Sequence, residues 1–328
     1  MKAIQRGRLQ VIGAAVCWSV VGAGVKYASP PLDGWQIAGG RSLFAFFFLC
    51  ALLRPWRGAW RPSLKVGLLA LAYAVMLVLF ILSNTLTFSA NAIFLQDSAL
   101  VWILLFSPLL LKEPFRPRDL AVFALCVPAM LLLFKDQLRP GQTTGNVLAL
   151  LSGVGYAIVL MGMRWGRRRG HAAAPADSAA GEAQSAGCRR HALTEAEGMM
   201  VWGNLLCFLL CVPKMGALPE HGAALPLAIV ALLGVVQLGL GYYLISLGMT
   251  HVPAVEGALL TLIEPVLNPL WACLLVSEVP GPWTLCGGAV IIACVAWQAL
   301  ARSEPQPLDA AVVRAEGQAA STSEQVTV

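Results

Sequence analysis

The sequence predicts an all-α polytopic membrane protein with ten transmembrane helices, arranged as two inverted five-helix repeats. Of its 328 residues, 58% are hydrophobic and only 12% are charged, and the mean hydropathy is +0.72. An ordinary soluble chain has about 25% charged residues, so about half of the expected charge is missing. The charges that remain lie between apolar runs long enough to cross a bilayer. This composition excludes soluble, disordered and fibrous proteins.

The ten predicted spans follow from apolar runs close to the 17–25 residues that a membrane helix needs. They lie at residues 9–27, 35–53, 66–87, 92–111, 120–134, 146–163, 198–212, 225–247, 254–276 and 283–300. The first run follows Lys2, Arg6 and Arg8 as a signal peptide would, but it lacks a small-x-small cleavage site and many similar runs follow it. We therefore expect a retained first span. The fifth, seventh and tenth spans are short, or contain Pro128 or several glycines.

The distribution of Lys and Arg tests the span count independently, since these residues collect in cytoplasmic loops. With a cytoplasmic N-terminus, 18 of the 23 basic residues fall in segments predicted to be inside and four in segments predicted to be outside. The remaining one, Arg41, lies within the second span. This asymmetry favours ten spans with both termini in the cytoplasm. We expect the chain to lie in the inner (plasma) membrane. The basic residues are topology signals and do not indicate nucleic-acid binding.

Two polar segments lie outside the predicted spans. Residues 164–195 combine an arginine cluster with Ala, Gly, Ser and Pro, which predicts a flexible cytoplasmic linker. The arginines could contact anionic lipid head groups, or act only as an orientation signal. Residues 301–328 predict a disordered cytoplasmic tail.

The two halves of the chain resemble each other. FSANA at residues 88–92 corresponds to VPAVE at residues 252–256, and LKEP at residues 111–114 corresponds to VSEV at residues 276–279. Each half then holds five helices, one over residues 9–135 and one over residues 146–300. Because five is odd, the second half enters the membrane from the opposite side, an arrangement typical of secondary transporters.

Several segments carry a family resemblance. They are RSLFA (41–45), NAIFLQDS (91–98) with LLLKEP (109–114), LGYY (240–243), HVPA (251–254), and LIEP (262–265) with SE (277–278). With these segments the chain resembles the EamA family of the drug/metabolite transporter superfamily, in two copies of its domain. The resemblance implies secondary transport of amino acids or related solutes, plausibly export. One difference is that Leu100 stands in the first half where Pro265 stands in the second, with Asp97 nearby.

Ionisable residues inside spans are costly, so each should face a partner or a cavity. Arg41, Asp97 and Glu264 are candidates for binding substrate or a proton; alternatively, the carboxylates form a salt bridge with Arg41 or accept a backbone hydrogen bond. Asp97 and Glu264 occupy nearly equivalent places in the two halves. Glu256 lies in a first helical turn, where we expect it to complement the helix dipole and to be partly wet. Glu113 and Glu278 are expected at the membrane interface.

The ninth span contains Pro265 and Pro269, each of which removes a backbone donor. A break at that depth is tolerated only where it is packed or lines a cavity, so it predicts either a site or a packing kink. Candidate lining residues are Asn268 beside it, Tyr242 and Tyr243 on the preceding span, and Trp18, Tyr156 and Gln96 elsewhere. Tyr73 and Trp102 could also line it, although aromatic residues also anchor helices at the interface. Asn84, Asn91 and Gln96 could form hydrogen bonds between helices instead.

No enzymatic pattern is present. The sequence lacks a nucleotide-binding GxxxxGK[ST], HExxH, GxSxG and any CxxC, so we expect no catalysis, cofactor or metal. Cys207 and Cys211, four residues apart, favour helix packing. The leading hypothesis is an exporter of small metabolites driven by alternating access, with possible proton coupling. An uptake carrier of the same fold, a channel and a lipid scramblase remain alternatives. The solute and the oligomeric state stay open.

Overall fold

All the regular secondary structure in the described part of the chain is helical. The computed structural model describes residues 3–29, 31–55, 63–87, 89–113, 116–135, 143–172, 194–218, 222–276 and 281–300. The helices are α1 (Ala3–Trp18), α2 (Val21–Ala28), α3 (Gly34–Leu53), α4 (Leu64–Leu86), α5 (Ser89–Gln96), α6 (Ala99–Leu110), α7 (Pro117–Phe134), α8 (Thr143–Ala172), α9 (Glu195–Cys211), α10 (Ala224–Leu232), α11 (Gly241–Gly248), α12 (Ala254–Thr261), α13 (Ile263–Val276) and α14 (Pro282–Leu300). A 3₁₀ turn (Val212–Lys214) follows α9, and a π-helical segment (Leu233–Leu240) joins α10 to α11.

Eight helical stretches within these ranges are long and apolar enough to cross a membrane. They correspond to eight of the ten predicted spans, and the all-α membrane class is confirmed. Helix α7 and the pair α12–α13 occupy the positions predicted for the fifth and ninth spans. Ten crossings in two inverted repeats stay a prediction.

The outer surface of the bundle is apolar. Large side chains such as Leu68, Leu109, Leu274 and Leu285 are more than half exposed. A soluble monomer rarely exposes apolar area of this extent, whereas acyl chains cover it without cost. The surface therefore fits a multi-pass membrane protein.

Two helix starts have complete capping boxes. Asp33 Oδ1 accepts a hydrogen bond from the Gln36 backbone N–H, and the Gln36 side chain accepts one from the Asp33 N–H. Thr194 and Glu197 make the same reciprocal pair at the start of α9. These bonds satisfy backbone donors that the first helical turn leaves without partners, so each box determines where its helix begins.

Small residues allow close helix crossings around the centre. A side chain at Gly39 of α3 would meet Cys211 of α9, and one at Gly234 of the π-helical segment would overlap the backbone of Arg41 in α3. Cys207, also buried, lies against the Ala38 carbonyl. These contacts agree with the packing interpretation of Cys207 and Cys211 and hold α3 between α9 and the π-helical segment.

Helix α8 extends beyond its predicted span. It continues to Ala172, past the predicted start of the linker at residue 164. Arg164 lies within this helix, and its Nε is 2.7 Å from the buried Glu113 Oε1. Residues 173–193 and 301–328 lie outside the described residues, as do Glu278 and the rest of residues 277–280.

Candidate functional site

Four helix irregularities surround one small cavity. Helices α1 and α2 are separated at Ser19–Val20, α5 and α6 at Asp97–Ser98, and α12 and α13 at Leu262, while the π-helical segment interrupts the eighth predicted span. Trp18 lies beside the first of these interruptions, Asp97 at the second and Glu264 just after the third, while Gln237 lies within the π-helical segment. Backbone irregularity at membrane depth is tolerated where it is packed or lines a cavity.

The ninth predicted span is interrupted earlier than its prolines suggested. Leu262 lies in a tight turn, with its N–H bonded to the Leu259 carbonyl, and α13 starts at Ile263. Pro265 therefore occupies the first turn of a new helix, where a missing N–H costs nothing. Helix α13 continues through Pro269 without ending.

The cavity has a volume of about 20 Å³, enough for about one water molecule. Its lining residues are Trp18, Arg41, Met76, Leu77, Phe80, Gln96, Tyr156, Gln237, Tyr242 and Glu264. Six of them are predicted site residues: Trp18, Arg41, Gln96, Tyr156, Tyr242 and Glu264. Both halves of the chain contribute to the lining.

An aromatic cluster forms one wall. The Trp18 ring lies 4.8 Å from that of Tyr242 and 5.8 Å from that of Tyr156, and Tyr242 contacts Tyr73 edge to face at 4.9 Å. Gly241 permits this arrangement, since a Cβ there would lie 2.5 Å from Trp18 Nε1. The indole Nε1 is buried and has no hydrogen-bond partner in the described part of the chain. The wall thus combines rigid apolar faces with an available donor.

Among the residues that the structure describes, Arg41 is the largest fully buried side chain, with 0% of its surface exposed. Its Nη1 donates to Gln237 Oε1 at 3.0 Å, while Nε and Nη2 are buried and have no hydrogen-bond partner among the residues described. No carboxylate oxygen of those residues lies within 4.0 Å of the guanidinium. Arg41 therefore does not form the direct salt bridge to Asp97 or Glu264 that was the alternative interpretation.

Asp97 and Glu264 lie in adjacent parts of the bundle, since helices α5 and α13 contact each other. Glu264 lines the cavity. Asp97 lies at the break between α5 and α6, and its buried Oδ2 has no hydrogen-bond partner within the described ranges. Glu264 faces the cavity, where a carboxylate can hold a proton or accept a cationic group, whereas Asp97 is not among the lining residues.

Gln96 both lines the cavity and joins helices. Its Nε2 donates to Ser152 Oγ of α8 at 2.7 Å and lies 3.8 Å from Met76 Sδ of α4. Both interpretations of Gln96 therefore apply. Asn84 and Asn91 instead bond within or between helices, to the Phe80 carbonyl and to Thr87 respectively.

Several predicted residues are not in the lining. Tyr243 packs against the apolar core, and the Asn268 amide lies against Gly22 of α2. Trp102 is 37% exposed and stacks on Phe106 at the periphery. Sequence spacing places Tyr243 one residue from Tyr242, which is about 100° around a helix, so only one of the two can face the centre.

Glu256 is more deeply buried than the sequence predicted. It lies in the first turn of α12 as predicted but is fully buried, not partly wet. Its oxygens lie 2.6 Å from Arg8 Nε, 3.0 Å from Arg116 Nη1 and 3.7 Å from Arg118 Nη2. Three arginines from the first half thus neutralise one carboxylate of the second.

Glu113 is likewise buried, 4% exposed, where an interfacial position was expected. It pairs with Arg164 and accepts a 3.0 Å hydrogen bond from the Ala254 backbone N–H. Arg164 also donates to the Met249 and Thr250 carbonyls at 2.8 Å. These contacts and those of Glu256 lie at helix ends predicted to face the cytoplasm, where they connect the two halves.

Sequence reasoning missed Gln237, Met76, Leu77 and Phe80. A glutamine between glycines in an apolar span (GVVQLGLG, 234–241) was a usable signal, but its partner is 196 residues away. Nothing in the sequence distinguishes Met76, Leu77 and Phe80, which line the cavity, from apolar residues of the core. No group of three His, Cys, Asp or Glu side chains suited to a metal occurs in the described part.

The chain is similar to a known protein family and to a solved structure. The model of the EamA-like transporter family matches residues 5–135 and 191–298. A solved crystal structure of a protein, 17% identical, has a TM-score of 0.69, and the match covers 90% of this chain and 96% of that chain. At this identity the likeness is one of fold. No curated protein matches the chain.

Proposed function

Since the chain belongs to the EamA-like transporter family, whose model matches more than half of it, we propose that it exports amino acids or related small metabolites by proton-coupled alternating access. The proposal places it in the inner (plasma) membrane, with both termini in the cytoplasm. It assigns the first repeat to residues 9–135 and the second to residues 146–300. The observation that carries it is a small cavity, lined by both halves of the chain, by the buried Arg41 and by Glu264, at the breaks of several helices.

The size of the cavity supports alternating access. At about 20 Å³ it is too small for an amino acid, so a solute can enter only when the surrounding helices separate. A channel would need a continuous path, whereas the described helices enclose this centre with aromatic side chains on one side and Met76, Leu77 and Phe80 on another. The broken helices supply places where such movement is possible without disrupting long helices.

The residues divide between two roles. Asp97 and Glu264 are proposed to bind the coupling proton, and Glu264 also the amino group of the solute. Trp18, Tyr156 and Tyr242 shape the cavity, Gln96 adds a polar contact, and Arg41 completes the charged lining. Tyr243, Asn268, Pro265 and Pro269 act by supporting the helices that carry these groups.

Counterflow in proteoliposomes tests this proposal. Vesicles loaded in turn with the twenty amino acids are assayed with and without an imposed pH gradient, using the wild type, Asp97→Asn and Glu264→Gln. We expect saturable exchange, accelerated by the gradient in the wild type and no longer accelerated in either variant. The neutral side chains keep the size and shape of the originals but cannot exchange a proton.

Asp33→Asn is the matched control. Asp33 caps α3 outside the cavity, and Asn is an equally good cap, so the gradient should accelerate exchange as in the wild type. Acceleration that persists in both Asp97→Asn and Glu264→Gln would contradict proton coupling through these residues. Unsaturable flux would favour a channel, lipid movement without solute exchange a scramblase, and gradient-driven accumulation in the cytoplasmic direction an uptake carrier.

A further inference from the structure

The guanidinium of Arg41 has one edge satisfied and one edge open. Nη1 donates to Gln237 Oε1, whereas Nε and Nη2 are buried without a hydrogen-bond partner in the described part of the chain. Arginine carries five N–H donors in a rigid planar fork. Nε and Nη2 lie along the same side of that fork, and their N–H groups point in parallel. Two parallel donors match the two oxygens of a carboxylate.

The surrounding charges favour an external anion at this edge. A buried cation is stable only with a counter-charge and satisfied hydrogen bonds, and no carboxylate of the described residues lies within 4.0 Å of Arg41. Yet the side chain is 0% exposed and lines the cavity. The cavity is therefore the route by which an anionic partner can reach this edge.

The position of Arg41 is determined by helix packing. Gly234 brings the π-helical segment against the backbone oxygen of Arg41, where a larger residue would overlap it. One turn later the same segment presents Gln237 to Nη1. A π-helical turn shifts the register of the following side chains, which here aligns Gln237 with α3. Gln237 thus orients the guanidinium while leaving its Nε/Nη2 edge available.

We propose that the Nε/Nη2 edge of Arg41, oriented by Gln237, binds a carboxylate of the transported solute and selects for acids over their amides and amines. This inference rests on the proposed function and adds the group recognised and the residue that positions Arg41. A carboxylate fits better than a phosphate dianion, because Arg41 is the one cationic side chain among the described residues that line the cavity. Gln237 is a positioning residue that does not touch the solute.

The test measures binding to the purified full-length protein by ligand-dependent thermal stabilisation. The probes are the twenty amino acids, their primary amides, and the corresponding 2-hydroxy acids, which keep the carboxylate but lack the amino group. We expect at least one acid to bind about tenfold or more tightly than its amide, because the amide loses the charge-assisted bidentate bonds. In Arg41→Gln this preference should disappear, and Arg41→Lys should recover it only in part, since a single ammonium lacks the fork.

Gln237→Glu separates a binding role from a folding role. An internal carboxylate beside Arg41 should compete with the solute, so acid binding should weaken about tenfold or more while thermal stability without probe rises. A merely structural role for Gln237 predicts instead that both fall together. Arg6→Gln, at an exposed arginine near the start of α1, should bind the probes as the wild type does.

Each result has a distinct meaning. Acids and amides bound equally by the wild type, acid preference retained in Arg41→Gln, or no acid bound by the wild type would each overturn the inference. Hydroxy acids bound through Arg41 while amino acids are not would support the inference and contradict amino-acid transport. Amino acids exchanged in proteoliposomes without any effect of Arg41→Gln would leave the proposed function standing and overturn this assignment.

Discussion

Gly234 is the residue on which the placement of Arg41 depends most directly. A Cβ at this position would overlap the Arg41 backbone oxygen and would lie 2.6 Å from the Phe44 Cβ. Gly234→Ala should therefore separate α3 from the π-helical segment, lower the free energy of unfolding by about 1–3 kcal/mol and reduce counterflow by weakening the Arg41–Gln237 bond. Unfolding in mixed detergent micelles and counterflow in proteoliposomes measure the two effects.

Gly67→Ala is the matched control, because nothing lies within 4 Å of a Cβ built at that exposed position in α4. Alanine has the higher helix propensity, so the change in unfolding free energy should stay within about 1 kcal/mol and favour folding. If Gly234→Ala behaves like Gly67→Ala in both assays, the close crossing does not position Arg41.

The sequence identifies site residues whose charge is unusual in a membrane span. It does not show which of two neighbouring side chains faces the cavity, because that depends on how the helix is rotated about its axis. Arg41 and Glu264 are recognisable because a charge inside a span is rare and costly. Tyr242 and Tyr243 cannot be ranked from the sequence, since either could face the centre. The charge of Glu256 is equally visible in the sequence. Its complete burial could not be predicted, because its three arginine partners are 138 to 248 residues away along the chain.

At the scale of elements, the centre is built from interrupted helices. Only the interruption before Glu264 has a sequence signal, because Pro265 is well suited to the first turn of a new helix, where its missing N–H leaves no backbone bond unmade. The break at Asp97–Ser98 has no proline or glycine to indicate it. The π-helical segment is likewise invisible in the hydropathy pattern, because one extra residue per turn does not change composition.

The helix ends around Glu113 form a clamp, defined as Glu113, Arg164 and the turn from Met249 to Ala254. Because each partner is buried, Glu113→Gln or Arg164→Gln alone should destabilise the protein by about 3–5 kcal/mol, since either leaves an uncompensated charge. The double variant should cost at least about 1 kcal/mol less than the sum of the two. Unfolding in mixed micelles measures all three values.

Arg6→Gln, which removes an exposed arginine from the same end of the bundle, should change stability by about 0.5 kcal/mol or less. Additive effects of the two clamp substitutions would mean that Glu113 and Arg164 act independently and that the clamp does not hold the halves together.

At the scale of the whole molecule, all four ion pairs in the described residues connect the first half of the chain to the second. They lie at helix ends that the basic-residue distribution predicts to be cytoplasmic. The opposite end is joined by neutral or singly charged contacts, such as the Gln36 side chain donating to the Gly216 carbonyl at 2.9 Å. This difference suits a conformation closed towards the cytoplasm, because separating the halves there requires breaking several buried pairs.

The proposed orientation has a direct test in intact cells. In a version of the chain without native cysteines, a membrane-impermeant maleimide should label Gln137→Cys from outside, and Arg61→Cys only after the membrane is permeabilised. The expectation follows from the concentration of Lys and Arg in cytoplasmic loops. Labelling of Arg61→Cys in intact cells would reverse the orientation, and equal labelling of both would contradict the span count between them.

Composition and charge by themselves determined the class of protein and the approximate positions of its spans, because the bilayer imposes length and polarity on every segment independently. They also identified Arg41 and Glu264, whose charges are exceptional in an apolar span. The family followed from short segments of sequence in both halves of the chain. Only the tertiary structure decided that Gln237 meets Arg41, that Tyr242 and not Tyr243 lines the cavity, and that Glu256 pairs with arginines. Those outcomes depend on how helices from the two halves rotate and approach one another, and such contacts between residues far apart in the sequence leave no local pattern in the chain.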